Sequence, residues 1–213
     1  MNNSINIIAA IGLLPVIKID SPKEEAKPLA EALLTGGLPV AEITFRTAGA
    51  EQAIEIMRST YPEMLVGAGT VLTIDQIDRA VSAGAQFLVS PGFNRKNVAY
   101  CQKIGITIIP GCITPTEIEE ALAMGVNNLK FFPAEQFGGL NTIKALSAPF
   151  SQVKFVPTGG INLSNLGKYL ANTHVLACGG SFMVTADLLM QKNWNEVTAI
   201  CKESVAVIKL ARG

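Results

Sequence analysis

The chain has 213 residues, a length that fits one domain with a sizeable core. Lysine plus arginine and aspartate plus glutamate number 17 each, so the net charge is zero, and no basic stripe or acidic tail points to nucleic acid or an anionic membrane as a partner. With 16% charged residues and a mean hydropathy of +0.35, the surface is apolar enough for part of it to be covered by a second subunit.

The apolar stretch 7–17 is too short to span a bilayer and no lysine or arginine precedes it, so it reads as an N-terminal helix running into a first strand rather than a signal peptide. From there a strand-then-helix rhythm recurs at roughly two dozen residues, enough for a βα unit with short loops. The expected strands are 13–19, 40–45, 65–68, 87–90, 107–110, 128–132, 154–158 and 175–178. Between them, segments such as 24–34, 50–58, 74–83, 116–124 and 163–170 carry helical spacing. Ser21-Pro22, Thr114-Pro115 and Asn162 or Ser164 supply caps, and Gly36-Gly37, Gly84, Gly105 and Gly125 stand where a left-handed C-terminal residue is wanted. Eight such units predict a closed (β/α)8 TIM barrel with an N-terminal helix, one domain over 1–213. A doubly wound sheet would be expected to carry a glycine-rich turn after its first strand, and 18–23 contains no glycine.

A barrel places its chemistry at the C-terminal ends of its strands. On the second strand Glu42, Thr44 and Arg46 share one face, and Ala41, Ile43 and Phe45 the other. Two charges and a hydroxyl on a strand that should be packed on both sides imply a polar barrel mouth. Glu42 is then a proton carrier and Arg46 a fork for a carboxylate or phosphate; the competing reading is an internal Glu42–Arg46 pair without function. After strand three, Gly67-Ala68-Gly69-Thr70 lets a ligand approach the backbone beside a hydroxyl. Strand four ends Ser90-Pro91-Gly92 and strand five Pro110-Gly111-Cys112, both adequately explained as turns.

Strand six reads Asn128-Leu129-Lys130-Phe131-Phe132, with Lys130 and Phe132 on one face. A lysine walled by aromatics is uncommon, because low dielectric disfavours an ammonium ion, and imine-forming catalysis needs a neutral amine. Strand seven ends Thr158-Gly159-Gly160 and strand eight Gly179-Gly180-Ser181. Glycine pairs after the last two strands match the position where many barrels bind phosphate, with 185–190 as the short extra helix. His174 falls at the opposite mouth and takes no role. Cys101, Cys112, Cys178 and Cys201 are widely spaced without a CxxC pair; with a single histidine they make no zinc site, and free thiols in a reducing cytoplasm are expected.

Glu42-Ile43-Thr44-Phe45-Arg46-Thr47, Gly67-Ala68-Gly69-Thr70-Val71-Leu72, Ser90-Pro91-Gly92, Lys130-Phe131-Phe132-Pro133-Ala134-Glu135, Pro157-Thr158-Gly159-Gly160-Ile161 and Gly179-Gly180-Ser181 stand in order across most of the chain. Together they resemble the 2-keto-3-deoxy-6-phosphogluconate (KDPG) aldolase family, also known as 4-hydroxy-2-oxoglutarate (KHG) aldolase. The free thiols and the lack of a signal-peptide pattern point to a cytoplasmic protein, and the resemblance implies a homotrimeric class I aldolase of the Entner–Doudoroff pathway. Such an enzyme acts without cofactor or metal and cleaves a phosphorylated 2-keto acid to pyruvate and glyceraldehyde 3-phosphate. It implies Lys130 as Schiff-base lysine, Glu42 as proton acceptor, and Arg46 and Thr70 as holders of the pyruvate carboxylate. Gly159, Gly160, Gly180 and Ser181 would receive the phosphate, with Pro91, Phe132 and Thr158 also lining the substrate. Two departures are visible, Phe182 where some members have tryptophan and Cys112 where an aliphatic residue is common. The phosphogalactonate aldolases are a close alternative, though Phe45-Arg46-Thr47 and Pro157-Thr158-Gly159-Gly160 look nearer the phosphogluconate group. A phosphosugar isomerase or epimerase, or a non-catalytic phosphosugar-binding barrel, are the rivals of different class.

Overall fold

A computed structural model describes residues 4–213. The first helix, α1 (Ser4–Ile11), turns through Gly12 at φ +81° into β1 (Leu13–Ile17). The remaining strands are β2 (Val40–Thr44), β3 (Leu65–Gly69), β4 (Phe87–Val89), β5 (Thr107–Ile109), β6 (Asn128–Phe131), β7 (Lys154–Pro157) and β8 (Cys178–Gly180). Each of the first seven strands leads to one helix: α2 (Pro22–Thr35), α3 (Ala50–Thr60), α4 (Ile74–Ser82), α5 (Arg95–Ile104), α6 (Pro115–Ala123), α7 (Gly139–Ser147) and α8 (Leu163–Leu170). A 3-10 turn, Glu135–Phe137, precedes α7, and β8 is followed by α9 (Ala186–Met190) and α10 (Trp194–Arg212).

Every strand pairing is parallel. Six strands run in the order β5-β4-β3-β2-β1-β8, and β6 pairs with β7. A bridge from Gly111 to Lys130 joins β5 to β6, and bridges from Phe155 to Val175 and from Thr158 to Gly179 join β7 to β8. The ring therefore closes as the expected (β/α)8 barrel, with two narrow seams. Strand ends differ from expectation by one or two residues except at β8. There 175–178 was expected, yet Val175 makes only an isolated bridge, and pairing continues through Gly179 and Gly180 against Leu14 and Pro15. Side-chain pattern could not mark a strand made of glycines, whose β propensity is low.

The buried side chains form two layers. Leu14, Val40, Leu65, Phe87, Val89, Ile109, Val156 and Ala177 fill the barrel interior, and Ile8 of α1 packs into the same cluster, helped by Ile5, Ile7 and Ile11. The N-terminal helix is thus an apolar plug at one end of the barrel. Leu129, Phe131 and Phe155 face outward into the larger layer beneath the helices, with the two phenylalanine rings edge to face at 6.1 Å.

Helix starts follow the sequence signals in part. Thr114 and Glu117 form a capping box, as do Asn162 and Asn165. Ser21 makes no side-chain cap; the Glu25 carboxylate instead accepts from the Ser21 and Asp20 N–H groups. Gly37, Gly84, Gly105 and Gly125 are left-handed, but Gly36 is helical at φ −77°. Its glycine is required by packing, because a Cβ there would lie 2.3 Å from Cβ of Cys201 on α10. Among the described residues no helix is long and apolar enough to cross a membrane.

Candidate active site

At the C-terminal ends of the strands, opposite the α1 plug, a pocket of about 240 Å3 opens. Thr44 and Arg46 reach it from β2, Thr70 from β3, Pro91 from β4, and Lys130 and Phe132 from β6. Thr158, Gly159, Gly160 and Ile161 line it from β7, and Gly180 and Ser181 from β8. Every substrate-binding residue expected from the sequence lines this one pocket. Glu42 lies directly beneath, buried to 1% exposure, within hydrogen-bond reach of Lys130. Val16 and Ile161 also line the pocket and were not among the expected site residues, since an apolar lining residue reads like core.

Lys130 is itself only 5% exposed, and its Nζ lies 3.5 Å from Glu42 Oε1 and 5.2 Å from the centroid of the Phe132 ring. The shared face of Lys130 and Phe132 expected from strand alternation is what brings ammonium and ring together. Glu42 pairs with Lys130 and not with Arg46, so the internal Glu42–Arg46 pair does not form. Gly69, two residues along the adjacent strand, makes the space: a Cβ there would stand 2.1 Å from Glu42 Oε1. Arg46 is exposed and its Nε donates to Thr44 Oγ1 at 3.2 Å, while Thr44 donates to the Ile17 carbonyl at 2.8 Å. The described residues offer the Arg46 guanidinium no carboxylate, which leaves its outer edge turned to the pocket as a fork for an anion. Thr70 holds φ +59°, a strained conformation for a β-branched residue, at the pocket wall.

The two glycines after β7 take φ +100° and +82°. Their role differs from simple absence of bulk in the pocket, because a Cβ on Gly160 would meet Glu135 Cγ at 2.4 Å rather than a ligand. The helix expected over 185–190 forms as α9, capped by Thr185. His174 lies at the far mouth, its Nδ1 3.3 Å from the Val153 carbonyl. All four cysteines are buried and free. Burial pushes the Cys101 thiol up to about 11, and Cys112 and Cys201 up to about 12; Cys178 is raised further. Such thiols stay protonated and make poor nucleophiles. Among the described residues no three histidine, cysteine, aspartate or glutamate side chains stand together to hold a metal.

The profile of the family described as aldolase, KDPG and KHG aldolase, matches residues 5–200. The 2-dehydro-3-deoxy-phosphogluconate aldolase of Treponema pallidum (strain Nichols) is 48% identical over 198 residues, 93% of this chain and 94% of that protein. The KHG/KDPG aldolase of Escherichia coli (strain K12) is 40% identical over 205 residues, 96% of each chain. Among solved structures, a KDPG aldolase from Legionella pneumophila, with pyruvate captured at low pH as a covalent carbinolamine, superimposes with a TM-score of 0.90. It is 44% identical, and the match covers 93% of this chain and 96% of that one. A parallel barrel whose mouth gathers a buried lysine, a carboxylate and an unpaired arginine thus coincides with near full-length similarity, and the chain belongs to the KDPG and KHG aldolase family.

Proposed function

We propose that this protein is a class I aldolase, a lyase that cleaves KDPG to pyruvate and glyceraldehyde 3-phosphate and KHG to pyruvate and glyoxylate. The observation that carries the reading is the buried Lys130–Glu42 contact at the base of a pocket whose rim offers Arg46. Lys130 Nζ adds to the C2 ketone to give a carbinolamine, and Glu42 supplies the proton with which the hydroxyl leaves as water, giving a protonated imine. The C4 hydroxyl then loses its proton to the carboxylate, the C3–C4 electron pair flows into the imine, and the aldehyde departs. Protonation of the resulting enamine at C3 and hydrolysis of the imine release pyruvate and restore the lysine. Arg46 and Thr70 hold the C1 carboxylate, with Pro91, Phe132 and Thr158 walling the carbon chain. Gly159, Gly160, Gly180 and Ser181 receive the phosphate. The imine is the electron sink, so the scheme calls for no metal or other cofactor.

The test is reductive trapping. Pyruvate with borohydride should leave a stable adduct that peptide mapping places on Lys130, and Lys130→Ala should abolish both adduct and turnover. An adduct on Lys144 of the outer helix α7, or on Lys154, whose Nζ is held by the Thr173 carbonyl at 2.7 Å, would sink the assignment. Pyruvate release measured side by side from KDPG, its phosphogalactonate-derived epimer and KHG should be fastest with KDPG. Faster release from the epimer reverses the substrate preference but leaves the mechanism.

One barrel domain over 1–213 carries this activity, in the cytoplasm, on a small phosphorylated 2-keto acid. It works as a homotrimer, a state favoured by the apolar side chains of Leu72, Phe137 and Met190 that remain exposed. Light scattering should return about three times the 22.5 kDa chain mass, and a stable monomer at micromolar concentration would contradict it.

A further inference from the structure

The turn after β7 is held from behind. In an extended strand successive carbonyls point to opposite sides. Here the consecutive carbonyls of Thr158 and Gly159 both point at the loop after β6, accepting from Ala134 N at 2.8 Å and Glu135 N at 3.1 Å. The left-handed Gly159 between them makes that possible. The next carbonyl, of Gly160, accepts from Asn165 Nδ2 at 2.9 Å. In a planar trans peptide the N–H opposes the C=O. Fixing the Gly159 and Gly160 carbonyls on the outside therefore turns the N–H groups of Gly160 and Ile161 the other way. The described residues supply neither with an acceptor, and both residues line the pocket.

A second tie reinforces the first. Tyr169 of α8, only 2% exposed, donates its hydroxyl to Glu135 Oε1, and the stem of Glu135 lies against Gly160. Burial, and then the hydrogen bond to Glu135, push the Tyr169 phenol well above its ordinary range, so it remains a donor. Gly139 gives the pair its room, since a Cβ there would stand 2.6 Å from the Tyr169 hydroxyl. Asn165 meanwhile accepts from Asn162 N at 2.9 Å, so the side chain that helps start α8 also makes the shorter of two bonds to the Gly160 carbonyl, the longer coming from Asn162 Nδ2 at 3.4 Å.

We propose that Asn165 and the Tyr169–Glu135 pair are positioning residues that keep the Gly160 and Ile161 N–H groups aimed into the pocket as donors for the substrate phosphate. The proposal rests on the phosphate reading given above. It assigns the selectivity for phosphorylated over unphosphorylated 2-keto acids to side chains that never touch the substrate. Two successive N–H groups, here those of Gly160 and Ile161, form an anion cradle only while their peptide planes are fixed.

Tyr169→Phe removes one hydroxyl and keeps the ring, while Asn165→Ala removes the shorter of the two bonds to the Gly160 carbonyl. Each should raise KM for KDPG and the inhibition constant for inorganic phosphate by about 3- to 10-fold, the scale of one lost hydrogen bond. KM and kcat for KHG, and the yield of pyruvate trapped at Lys130, should stay as in the unaltered protein. Amide NMR of the unaltered protein, titrated with inorganic phosphate, tests the underlying site separately, because the Gly160 and Ile161 resonances should shift. Shifting resonances together with variants that bind phosphate normally would overturn the tether and leave the phosphate site standing. Variants that weaken both substrates alike would show a merely structural role and also overturn it. Resonances that do not move would remove the phosphate site and the tether together.

Discussion

Glu42 and Lys130 stand 88 residues apart in sequence and meet at 3.5 Å inside the barrel mouth. Two opposite charges at 1% and 6% side-chain exposure have lost most of their hydration and depend on each other. Glu42→Gln keeps the shape and hydrogen-bonding capacity but cannot carry a proton. Turnover should fall roughly 10²–10⁴-fold, the scale of a general acid–base group, and exchange of pyruvate methyl protons in heavy water should fall in parallel. Exchange that survives intact in this variant would hand the proton transfer to another residue. Both residues were legible in the sequence because each breaks the apolar pattern of a buried strand, and alternation told which neighbours share their face. The partner of Glu42 was not legible. Arg46 shares its face four residues on, yet the Glu42 side chain leans across the barrel to Lys130, a contact that only ring closure creates. Glu135, Asn165 and Tyr169 escaped for a related reason: their importance lies in the backbone they hold, and spacing along one strand or helix carries no trace of it.

Among the elements, those whose signal is local came through best. The capping box of α6 is an example: Thr114 Oγ1 accepts from Glu117 N at 3.3 Å, while Glu117 Oε2 accepts at 2.9 Å each from Ile113 N, Thr114 N and the Thr114 hydroxyl. This cluster stands on the loop after β5, and none of its residues lines the pocket. Thr114→Ala should therefore lower stability by about 1 kcal/mol in urea unfolding while kcat and KM are unchanged. An unshifted midpoint would mean that the Glu117 carboxylate alone holds the turn. Strand β8 illustrates the opposite case. Its pairing with β1 runs through backbone at Gly179 and Gly180, where a side chain would collide: a Cβ on Gly179 would sit 2.3 Å from Thr158 Oγ1. The sequence marks that place as turn-like, and the barrel uses the same glycines to bring β7 and β8 close at the mouth. The ends of β1 and β2 moved inward by one or two residues because pairing stops where the chain leaves the ring toward the pocket.

At the scale of the molecule, the fold buries four thiols whose protonation differs between folded and unfolded chains. Cys101 on α5, Cys112 after β5, Cys178 on β8 and Cys201 on α10 are all at most 1% exposed. Their thiols are raised by burial from 9.0 to about 11 at Cys101 and about 12 at Cys112 and Cys201, with Cys178 higher still. Between pH 9 and 11 the folded chain thus keeps protons that the unfolded chain has released. Stability falls as pH rises wherever the native state binds more protons, so the thiol contribution is fully present below pH 9 and is lost above it. The loss is about 1.4 kcal/mol per pH unit for each thiol held protonated. Urea midpoints should therefore be flat in their thiol component from pH 7 to 8.5 and then decline, and Cys201→Ala should make that decline shallower even though it lowers stability at neutral pH. At pH 8 the native protein should leave Ellman's reagent unreacted and yield four thiols per chain once denatured. A native thiol that reacts at pH 8, or a decline as steep in Cys201→Ala as in the unaltered protein, would show that the helix layer opens to solvent and that burial does not set these protons.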